Sequence, residues 1–428
     1  MHAGRPVRWY ERTMIAPETA APVPPWPRRL ATLAVELGPP FLVALLLLPL
    51  VIKGGSLAPY LPNTIDLRVY DLAVRDLING KDIYLTSTPG DNLKFIYPPI
   101  AAILMTPLVF GSYGLWQVLW AALGTWAQQS VLRRCGVPRG LLLGVLGAVL
   151  LVAMEPLRTT MGYGQVNTML MALVVADLLP AALGERRIVP QGAFTGLAAA
   201  IKLTPLLFVV FAVLIGRKAM AAVAMVTFAV AAGVGFLLLP SESSRFWRGL
   251  GQGDVNTAGP IYVGNQGMTG VFSRWFAEDR PGIVAGLLVG LVVAGLATLV
   301  ATFWWRHGER VFAVGLVGMA TCIASPLSWT HHHVWAAVLL VAVSVASRIP
   351  RWAQWTGLAW MVWVAACLPL AILPYGAHVE VGYSAGQDLV GNLGPVLGSV
   401  LIVALSVDAA RRVVADRRQP VRAAAAHP

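Results

Sequence analysis

Long apolar runs separated by short basic or polar stretches dominate the 428-residue chain. Because a membrane-spanning helix needs roughly 20 apolar residues, we predict spans near residues 31–52, 115–132, 139–154, 166–183, 219–239, 282–304, 311–325, 334–347, 354–373 and 389–409. Two further apolar stretches, 98–110 and 192–215, bring the expected number to about 10–12. The second is interrupted at Lys202, so we expect two half-spans that meet at a turn.

The composition supports this pattern, since 57% of the residues are hydrophobic and only 12% are charged. Soluble domains are about half apolar and a quarter charged, so a soluble globular protein is excluded and an all-α polytopic membrane protein is predicted. The three cysteines, Cys135, Cys322 and Cys367, have no metal-ligand spacing and suggest no disulfide framework. We interpret them as apolar packing residues.

The net charge of +12 comes largely from arginines in short loops between the apolar runs. This distribution indicates orientation in a membrane with the basic loops in the cytoplasm, and attraction to anionic lipids rather than to nucleic acid. We predict disordered cytoplasmic ends at 1–29 and 411–428, which flank a domain embedded in the plasma membrane at 30–410. The outer loops are then 53–97, 155–165, 240–281, 326–333 and 374–388, and Lys202 lies on the outer side.

The first outer loop contains a segment with helical spacing of apolar residues, namely Ile65, Val69, Leu72 and Leu77. We predict an amphipathic helix that lies on the membrane surface, starts with a cap from Asn63 or Thr64 and ends at Asn79-Gly80. Asp66 falls in its first turn. There it is either an ordinary N-terminal charge favoured by the helix dipole or a catalytic base.

Several other polar residues in or beside apolar runs are candidates for substrate binding. A lysine such as Lys202 costs about 2.5–3.5 kcal/mol at the centre of a spanning helix, which favours a cavity or an anion such as phosphate. Snorkelling to the interface is the alternative. Gln165 and Asn167 could contact hydroxyl-rich sugars or could hydrogen-bond between helices. The remaining candidates are Arg158, Tyr70, Tyr97, Asn265 and Gln266, although an aromatic such as Tyr97 is also ordinary at a membrane interface.

Three consecutive histidines, His331, His332 and His333, lie at the outer end of a predicted span. Adjacent helical residues point about 100° apart, so the three rings cannot chelate one ion together, and no HExxH motif accompanies them. We therefore predict no metal site. One or two of the rings are expected to bond a phosphate or a carboxylate in a cavity.

Together these residues suit group transfer from a phosphate-linked donor. A carboxylate can deprotonate an acceptor hydroxyl while cations stabilise the leaving phosphate. The chain has no Walker loop or Rossmann fingerprint, so a lipid-phosphate donor fits better than a soluble nucleotide, and no cofactor is expected.

Six motifs follow one another along the chain, namely Asp66-Leu67-Arg68-Val69-Tyr70, Tyr97-Pro98-Pro99, Gly162-Tyr163-Gly164-Gln165-Val166-Asn167, Lys202-Leu203-Thr204-Pro205, Asn265-Gln266-Gly267 and Ser325-Pro326 with His331-His332-His333. In this order they resemble the motifs of the actinobacterial polyprenol-phosphate-mannose-dependent mannosyltransferases, and most closely those of the α-1,2-mannosyltransferases of phosphatidylinositol mannoside biosynthesis. The resemblance covers nearly all of 30–410.

This resemblance implies the GT-C glycosyltransferase fold with an active site on the outer face. It further implies that Asp66 is the catalytic aspartate and that a member of the run His331–His333 acts at the outer mouth. The donor would be polyprenyl-phosphate-mannose, the acceptor a phosphatidylinositol mannoside, and the displacement inverting. The open alternatives are another acceptor, such as a lipomannan branch or an arabinan, and a lipid-linked sugar flippase. A transporter would be expected to show internal repeats and polar residues at the membrane midplane.

Overall fold

The computed structural model describes residues 26–52, 64–89, 92–179, 187, 189–252, 259–277, 280–376 and 378–425. In these residues the secondary structure is helical, apart from two isolated β-bridges, Ser87 with Lys94 and Asn265 with Trp329. The predicted all-α class is therefore confirmed.

The α-helices follow one another along the chain. They are α1 (Trp26–Ile52), α2 (Ile65–Ile78), α3 (Pro99–Leu104), α4 (Tyr113–Arg134), α5 (Leu141–Ala153), α6 (Glu155–Tyr163), α7 (Asn167–Leu178), α8 (Ala193–Ile201), α9 (Leu206–Leu214), α10 (Lys218–Leu238), α11 (Pro240–Gln252), α12 (Met268–Trp275), α13 (Arg280–Arg306), α14 (Arg310–Ala324), α15 (Trp335–Val345), α16 (Arg351–Ala366), α17 (Leu368–Ile372) and α18 (Ala385–Ala425). Three 3₁₀ turns cover Thr106–Val109, Thr330–His332 and Val379–Gly382.

Several helices are suited to cross a membrane, so the chain is a membrane protein. Among the described residues, α1, α10, α13 and α18 each contain a sufficiently long and apolar segment. A fifth span results if α5 and α6, bent by 85° relative to each other, form one broken crossing. Shorter apolar helices are α7, α14 and α15. The larger expected number of spans stays a prediction.

Breaks in the apolar runs account for the smaller number of long helices. The predicted turn in 192–215 is present, because α8 ends at Ile201 and α9 begins only after Pro205. Proline disfavours a helical conformation in the residue before it. The apolar stretch 98–110 is likewise divided into α3 and the 3₁₀ turn Thr106–Val109. Where one span was expected over 354–373, Cys367 adopts a left-handed φ of 47° and separates α16 from α17.

The described parts of the two chain ends are helical, whereas disorder was predicted there. The N-terminal helix already begins at Trp26, while residues 1–25 lie outside the described part. At the other end α18 continues past residue 411 to Ala425. Arg412 stabilises this extension, since its Nε donates to Asp408 Oδ2 at 2.7 Å one turn earlier. Its guanidinium also lies 5.3 Å from the centre of the Trp304 ring.

Basic side chains from separate loops gather at one end of the helices. Arg134 donates to the carbonyl of Leu179 at 2.8 Å. The guanidiniums of Arg217 and Arg310 both lie over the Trp305 ring, at 4.9 and 5.5 Å from its centre. Helix α7 ends at this basic end and α14 begins there, and their opposite ends lead into the segments that carry the candidate site. Three of the basic loops predicted to be cytoplasmic, those of Arg134, Arg217 and Arg310, therefore lie together, on the side away from that site.

Helix α2 confirms the predicted helix in the first outer loop but packs differently. Its fully buried residues are Leu67, Val69, Tyr70, Asp71, Ala73 and Val74, whereas Ile65, Leu72 and Leu77 are only half-buried. The helix contacts α3, α6 and the 3₁₀ turn Thr106–Val109. The sequence predicted that one apolar face of this helix lies on a membrane surface. In the structure the rest of the protein covers more than one face of the helix.

The two ends of α2 test the predicted caps. Thr64 precedes the helix with a φ of 50° and makes no side-chain cap bond. Its hydroxyl instead accepts from Gln117 at 2.8 Å and lies 3.0 Å from the Tyr113 hydroxyl. The predicted Thr64 cap is therefore wrong, and Asn63 lies outside the described residues. At the other end Asn79 is the C-terminal cap of the helix and is followed by Gly80 at a φ of 68°, so the predicted end at Asn79-Gly80 is confirmed.

Candidate active site

The first turn of α2 is held directly against the end of α6. The Thr64 backbone N–H donates to the carbonyl of Gly162 at 2.9 Å. Gly164 has a φ of 69°, and a Cβ atom added to it would lie 2.6 Å from the Leu67 Cβ. Only glycine adopts this conformation readily and permits so close an approach. The Gly-Tyr-Gly turn therefore brings Gln165 next to Asp66.

Gln165 is the centre of a buried polar group with two tyrosines. Its Oε1 accepts from the hydroxyl of Tyr70 at 3.0 Å and from that of Tyr97 at 2.9 Å. The two hydroxyls are 3.1 Å apart. Since the amide oxygen is occupied by these donors, the Gln165 side chain bonds the Asp66 carboxylate through its amide nitrogen. This network fixes the position of the carboxylate.

Asp66 has the properties of a general base near neutral pH. Burial raises its pKa from 3.8 to about 7, against the hydrogen bond from Gln165 and the positive charge of Lys202, which both lower it. Its Oδ2 is buried and accepts no hydrogen bond from any described residue. A carboxylate with a pKa close to the working pH and an unoccupied oxygen can accept a proton from a bound hydroxyl.

Lys202 lies in the break between α8 and α9 and points into the protein. Its Nζ donates to Asn167 Oδ1 at 3.0 Å and lies 5.6 Å from the centre of the Tyr97 ring. Asn167 in turn donates to the carbonyl of His331 at 2.9 Å. The lysine is therefore held inside the protein, within electrostatic reach of Asp66, rather than extended to an interface.

A small cavity of about 30 Å³ adjoins Lys202. Its polar lining includes Asn167, Ser325 and His332, and its apolar lining includes Phe208. The volume is enough for one or two water molecules. A lysine, a histidine and a hydroxyl around one space are suitable partners for an anionic oxygen.

The three histidine rings point to different surroundings. The His331 ring packs edge-on against Tyr163 with centres 4.8 Å apart, and its Nε2 has no hydrogen-bond partner among the described residues. His332 lines the cavity beside Lys202. His333 Nδ1 lies 3.3 Å from the carbonyl of Trp329, and the ring faces a separate cavity.

The imidazoles are neutral in these positions. Burial, followed by the charge of Lys202, places the pKa of His331 well below its usual range. Burial also lowers the pKa of His333 to about 4. In the described part of the chain no group of three or more His, Cys, Asp or Glu side chains could hold a metal ion.

Three of the predicted substrate contacts are not brought to Asp66. Arg158 lies near the opposite end of α6, where its Nη1 donates to the carbonyl of Val152 at 2.9 Å. The Asn265 side chain donates to the carbonyls of Pro260 and Pro326 at 3.0 and 3.1 Å. These contacts join the loop before α12 to the loop that follows α14.

Gln266 is similarly engaged, since its Nε2 donates to the carbonyls of Val263 and Gly391 at 2.8 and 3.0 Å. Its side chain lines the same separate cavity as His333. A substrate contact at Arg158, Asn265 or Gln266 therefore stays a prediction.

Glu155 and Arg274 are among the buried charges that the sequence reasoning missed. Glu155 accepts from the hydroxyls of Thr159 and Thr330 at 2.8 and 2.9 Å. Arg274 donates to Asn392 Oδ1 at 2.8 Å and to three backbone carbonyls. The sequence shows only that each charged residue lies close to apolar residues. That pattern does not identify the groups to which the charge is hydrogen-bonded.

Comparisons with known proteins agree with the motif resemblance. The sequence model of glycosyltransferase family 87 matches residues 95–326. A Mycobacterium tuberculosis polyprenol-phosphate-mannose-dependent alpha-(1-2)-phosphatidylinositol pentamannoside mannosyltransferase is 32% identical over 329 residues, which cover 73% of this chain and 74% of that protein. A Mycolicibacterium smegmatis polyprenol-phosphate-mannose-dependent alpha-(1-2)-phosphatidylinositol mannoside mannosyltransferase is 28% identical over 79% of this chain and 82% of its own length.

No solved structure matches the chain significantly. The family match nevertheless covers more than half of the chain, and it includes Tyr97, Gln165, Asn167 and Lys202. The predicted enzyme class and the predicted relationship to the mannosyltransferases are confirmed. This chain belongs to glycosyltransferase family 87.

Proposed function

We propose that this protein transfers mannose from polyprenyl-phosphate-mannose to a phosphatidylinositol mannoside on the extracytoplasmic face of the plasma membrane, forming an α-1,2 linkage. The observation that carries the proposal is the buried Asp66 carboxylate, which has one unoccupied oxygen and lies within electrostatic reach of Lys202. The donor and acceptor classes are those in the names of the mycobacterial relatives. The outer face is supported by the basic residues, which lie together at the other end of the helices.

The chemistry is a single inverting displacement. Asp66 Oδ2 takes the proton from an acceptor hydroxyl as that oxygen attacks the anomeric carbon of the donor mannose. The bond from the anomeric carbon to the phosphate oxygen breaks, and its electron pair leaves with the phosphate. A β-linked donor would thus give an α-linked product. The network of Gln165, Tyr70 and Tyr97 keeps the carboxylate in place for this step.

The leaving phosphate gains negative charge during the reaction, and Lys202 is placed to stabilise it. His332 faces the same cavity as Lys202, and the free Nε2 of His331 lies nearby as a further donor. Asn167 orients the lysine through their 3.0 Å hydrogen bond. Since these side chains provide the charge and the donors, we propose transfer without a metal or a cofactor.

Product analysis with purified protein tests the proposal. The protein is incubated with polyprenyl-phosphate-mannose and, separately, with phosphatidylinositol mannosides, a lipomannan acceptor and an arabinan acceptor. We expect a phosphatidylinositol mannoside one mannose longer, with the new residue at position 2 of its neighbour. Product from only the lipomannan or arabinan acceptor would contradict the proposed acceptor. Movement of the donor across a vesicle membrane without any product would favour a flippase.

A further inference from the structure

A cluster of three aromatic side chains lies at the site end of the molecule, apart from Asp66. The Tyr262 ring is 5.4 Å from the Trp329 ring and 5.8 Å from the Tyr375 ring, measured between centres, and both pairs are edge-to-face. Tyr375 is 45% exposed. Aromatic rings combine an apolar face with a polar edge. This suits a sugar ring, which presents C–H groups on its faces and hydroxyls around its rim.

Glu155 supplies an acceptor beside this cluster. Its side chain is buried, and its Oε1 accepts from Thr159 and from Thr330, the neighbour of Trp329. Its Oε2 is also buried and receives no hydrogen bond from the described residues. A buried carboxylate oxygen without a donor is costly unless a ligand supplies one. A sugar hydroxyl is such a donor.

Glu155 and the aromatic cluster belong to one region of the molecule. Thr330 joins Glu155 to the segment of Trp329 at 2.9 Å. Burial raises the pKa of the Tyr262 hydroxyl, and nearby negative charge, which includes that of Glu155, raises it further. The carboxylate is therefore within electrostatic reach of the aromatic edge.

Helix α6 connects this region to the Asp66 site. Glu155 is its first residue and Tyr163 its last, a separation of about 12 Å at 1.5 Å per residue. Tyr163 packs on His331 at 4.8 Å and immediately precedes Gly164, which abuts α2 at Leu67. An acceptor with several sugar rings can therefore contact Glu155 at one end of α6 and Asp66 beside the other end.

We propose that Glu155, Tyr262, Trp329 and Tyr375 form an acceptor subsite, which binds a sugar ring other than the one that receives mannose. The inference rests on the proposed function of the Asp66 site and specifies its substrate as an oligosaccharide glycolipid. The subsite sets a preference for acceptors that already carry several sugars. It takes no part in the bond-forming step.

Two variants test the subsite in the full-length protein. Tyr375→Ala removes an exposed ring, and Glu155→Gln keeps an oxygen for Thr159 and Thr330 but presents an N–H donor where Oε2 lay. Transfer kinetics are measured with a phosphatidylinositol mannoside that carries several mannoses and with octyl α-mannoside, which has one. We expect both variants to raise KM for the long acceptor roughly tenfold, the size expected for one lost buried contact. KM for octyl α-mannoside and for the donor should stay unchanged.

Matched variants separate binding from folding. Tyr375→Phe keeps the ring and should retain the wild-type KM for the long acceptor. Trp275→Ala removes a 51% exposed aromatic of α12 outside the cluster and should leave both acceptors unaffected. An unchanged KM for the long acceptor in Tyr375→Ala, or equal increases for both acceptors, would overturn the subsite.

Failure of the proposed function gives a different result. In that case the wild-type protein transfers mannose to neither acceptor. Direct binding of the long acceptor to detergent-solubilised protein then decides the subsite. Loss of binding in Tyr375→Ala but not in Tyr375→Phe would support it, and equal binding to all variants would overturn it.

Discussion

The Lys202 ammonium donates to the Asn167 side-chain oxygen at 3.0 Å, and this bond ties the break between α8 and α9 to the start of α7. The Asn167 amide continues the link to the backbone of His331. Three segments that are far apart in sequence therefore share one hydrogen-bonded unit. The geometry removes the alternative that Lys202 snorkels to an interface, and it leaves a positive charge next to the candidate base.

Lys202→Ala is expected to impair use of the donor more than use of the acceptor. Loss of the ammonium removes a contact with the phosphate and with the charge that develops on it, so we expect a rise in donor KM and a fall in kcat of roughly 100-fold. Acceptor KM should change little. Steady-state kinetics with each substrate varied in turn measure the effect. The control is Lys81→Ala, which removes an exposed lysine 3.7 Å from Asp76. If Lys202→Ala keeps wild-type donor kinetics, the donor phosphate does not bind at Lys202.

The rate of transfer should depend on pH through Asp66. Its carboxyl has a pKa of about 7 because of burial, and only the ionised form can accept a proton. The kcat/KM for the acceptor should therefore fall about tenfold per pH unit below pH 7. A pH–rate profile between pH 5 and 9, in the range where circular dichroism shows the protein folded, measures this. A flat profile down to pH 5 would show that the base has an ordinary carboxyl pKa.

Gly164→Ala should disrupt the contact between α6 and α2. An alanine there is strained at a φ of 69°, and its Cβ would meet the Leu67 Cβ at 2.6 Å. Gly136→Ala is the matched control, since Gly136 has a φ of 93° but nothing within 4 Å of an added Cβ. Both variants incur a left-handed strain of about 1–2 kcal/mol. Thermal unfolding gives the folded fraction of each variant, and transfer activity is expressed per folded molecule. We expect only Gly164→Ala to lose most of this activity. Equal losses in both variants would show that backbone strain, rather than the contact with Leu67, causes the effect.

Cysteine labelling tests the two ends of the molecule. The native cysteines Cys135, Cys322 and Cys367 are all buried, so the background reaction should be low. Leu85→Cys, at a 71% exposed position near α2, should react with a membrane-impermeant maleimide in intact cells. Arg351→Cys lies at the start of α16, close to Arg348, whose backbone N–H donates to Glu309 beside Arg310 at 2.8 Å. It should react only after permeabilisation. The reverse pattern would place Asp66 in the cytoplasm.

Local patterns singled out the candidate base and its cation, each for a different reason. Lys202 stands in an apolar run, where an ammonium requires a partner, and Asp66 starts an amphipathic helix in an outer loop. The interruption at Lys202 to Pro205 was visible for the same reason, since proline leaves a clear signal. These features depend on neighbouring residues alone.

The partners of these groups could not be predicted, because they come from distant parts of the chain. Gln165 binds tyrosines that lie 95 and 68 residues away in sequence. Asn265 resembled a substrate contact because it is polar in an outer loop, yet its amide joins two loops 61 residues apart. Similarly, the sequence offers no means of distinguishing three adjacent histidines from one another. Only the fold shows that the rings of His331 and His333 have different surroundings.

The exchange Asp66→Asn tests the central claim most directly, because it keeps the size and polarity of the side chain and removes its ability to take a proton. Asp71→Asn is the control in the same helix, since Asp71 accepts from Arg75 at 2.9 Å and serves structure. Mannose transfer is measured at saturating donor and acceptor in both variants, together with donor binding and thermal unfolding. We predict that Asp66→Asn binds the donor and unfolds like the wild type while its kcat falls roughly 100- to 10,000-fold. Asp71→Asn should lose thermal stability but still transfer mannose. Near-wild-type turnover by Asp66→Asn would contradict the account.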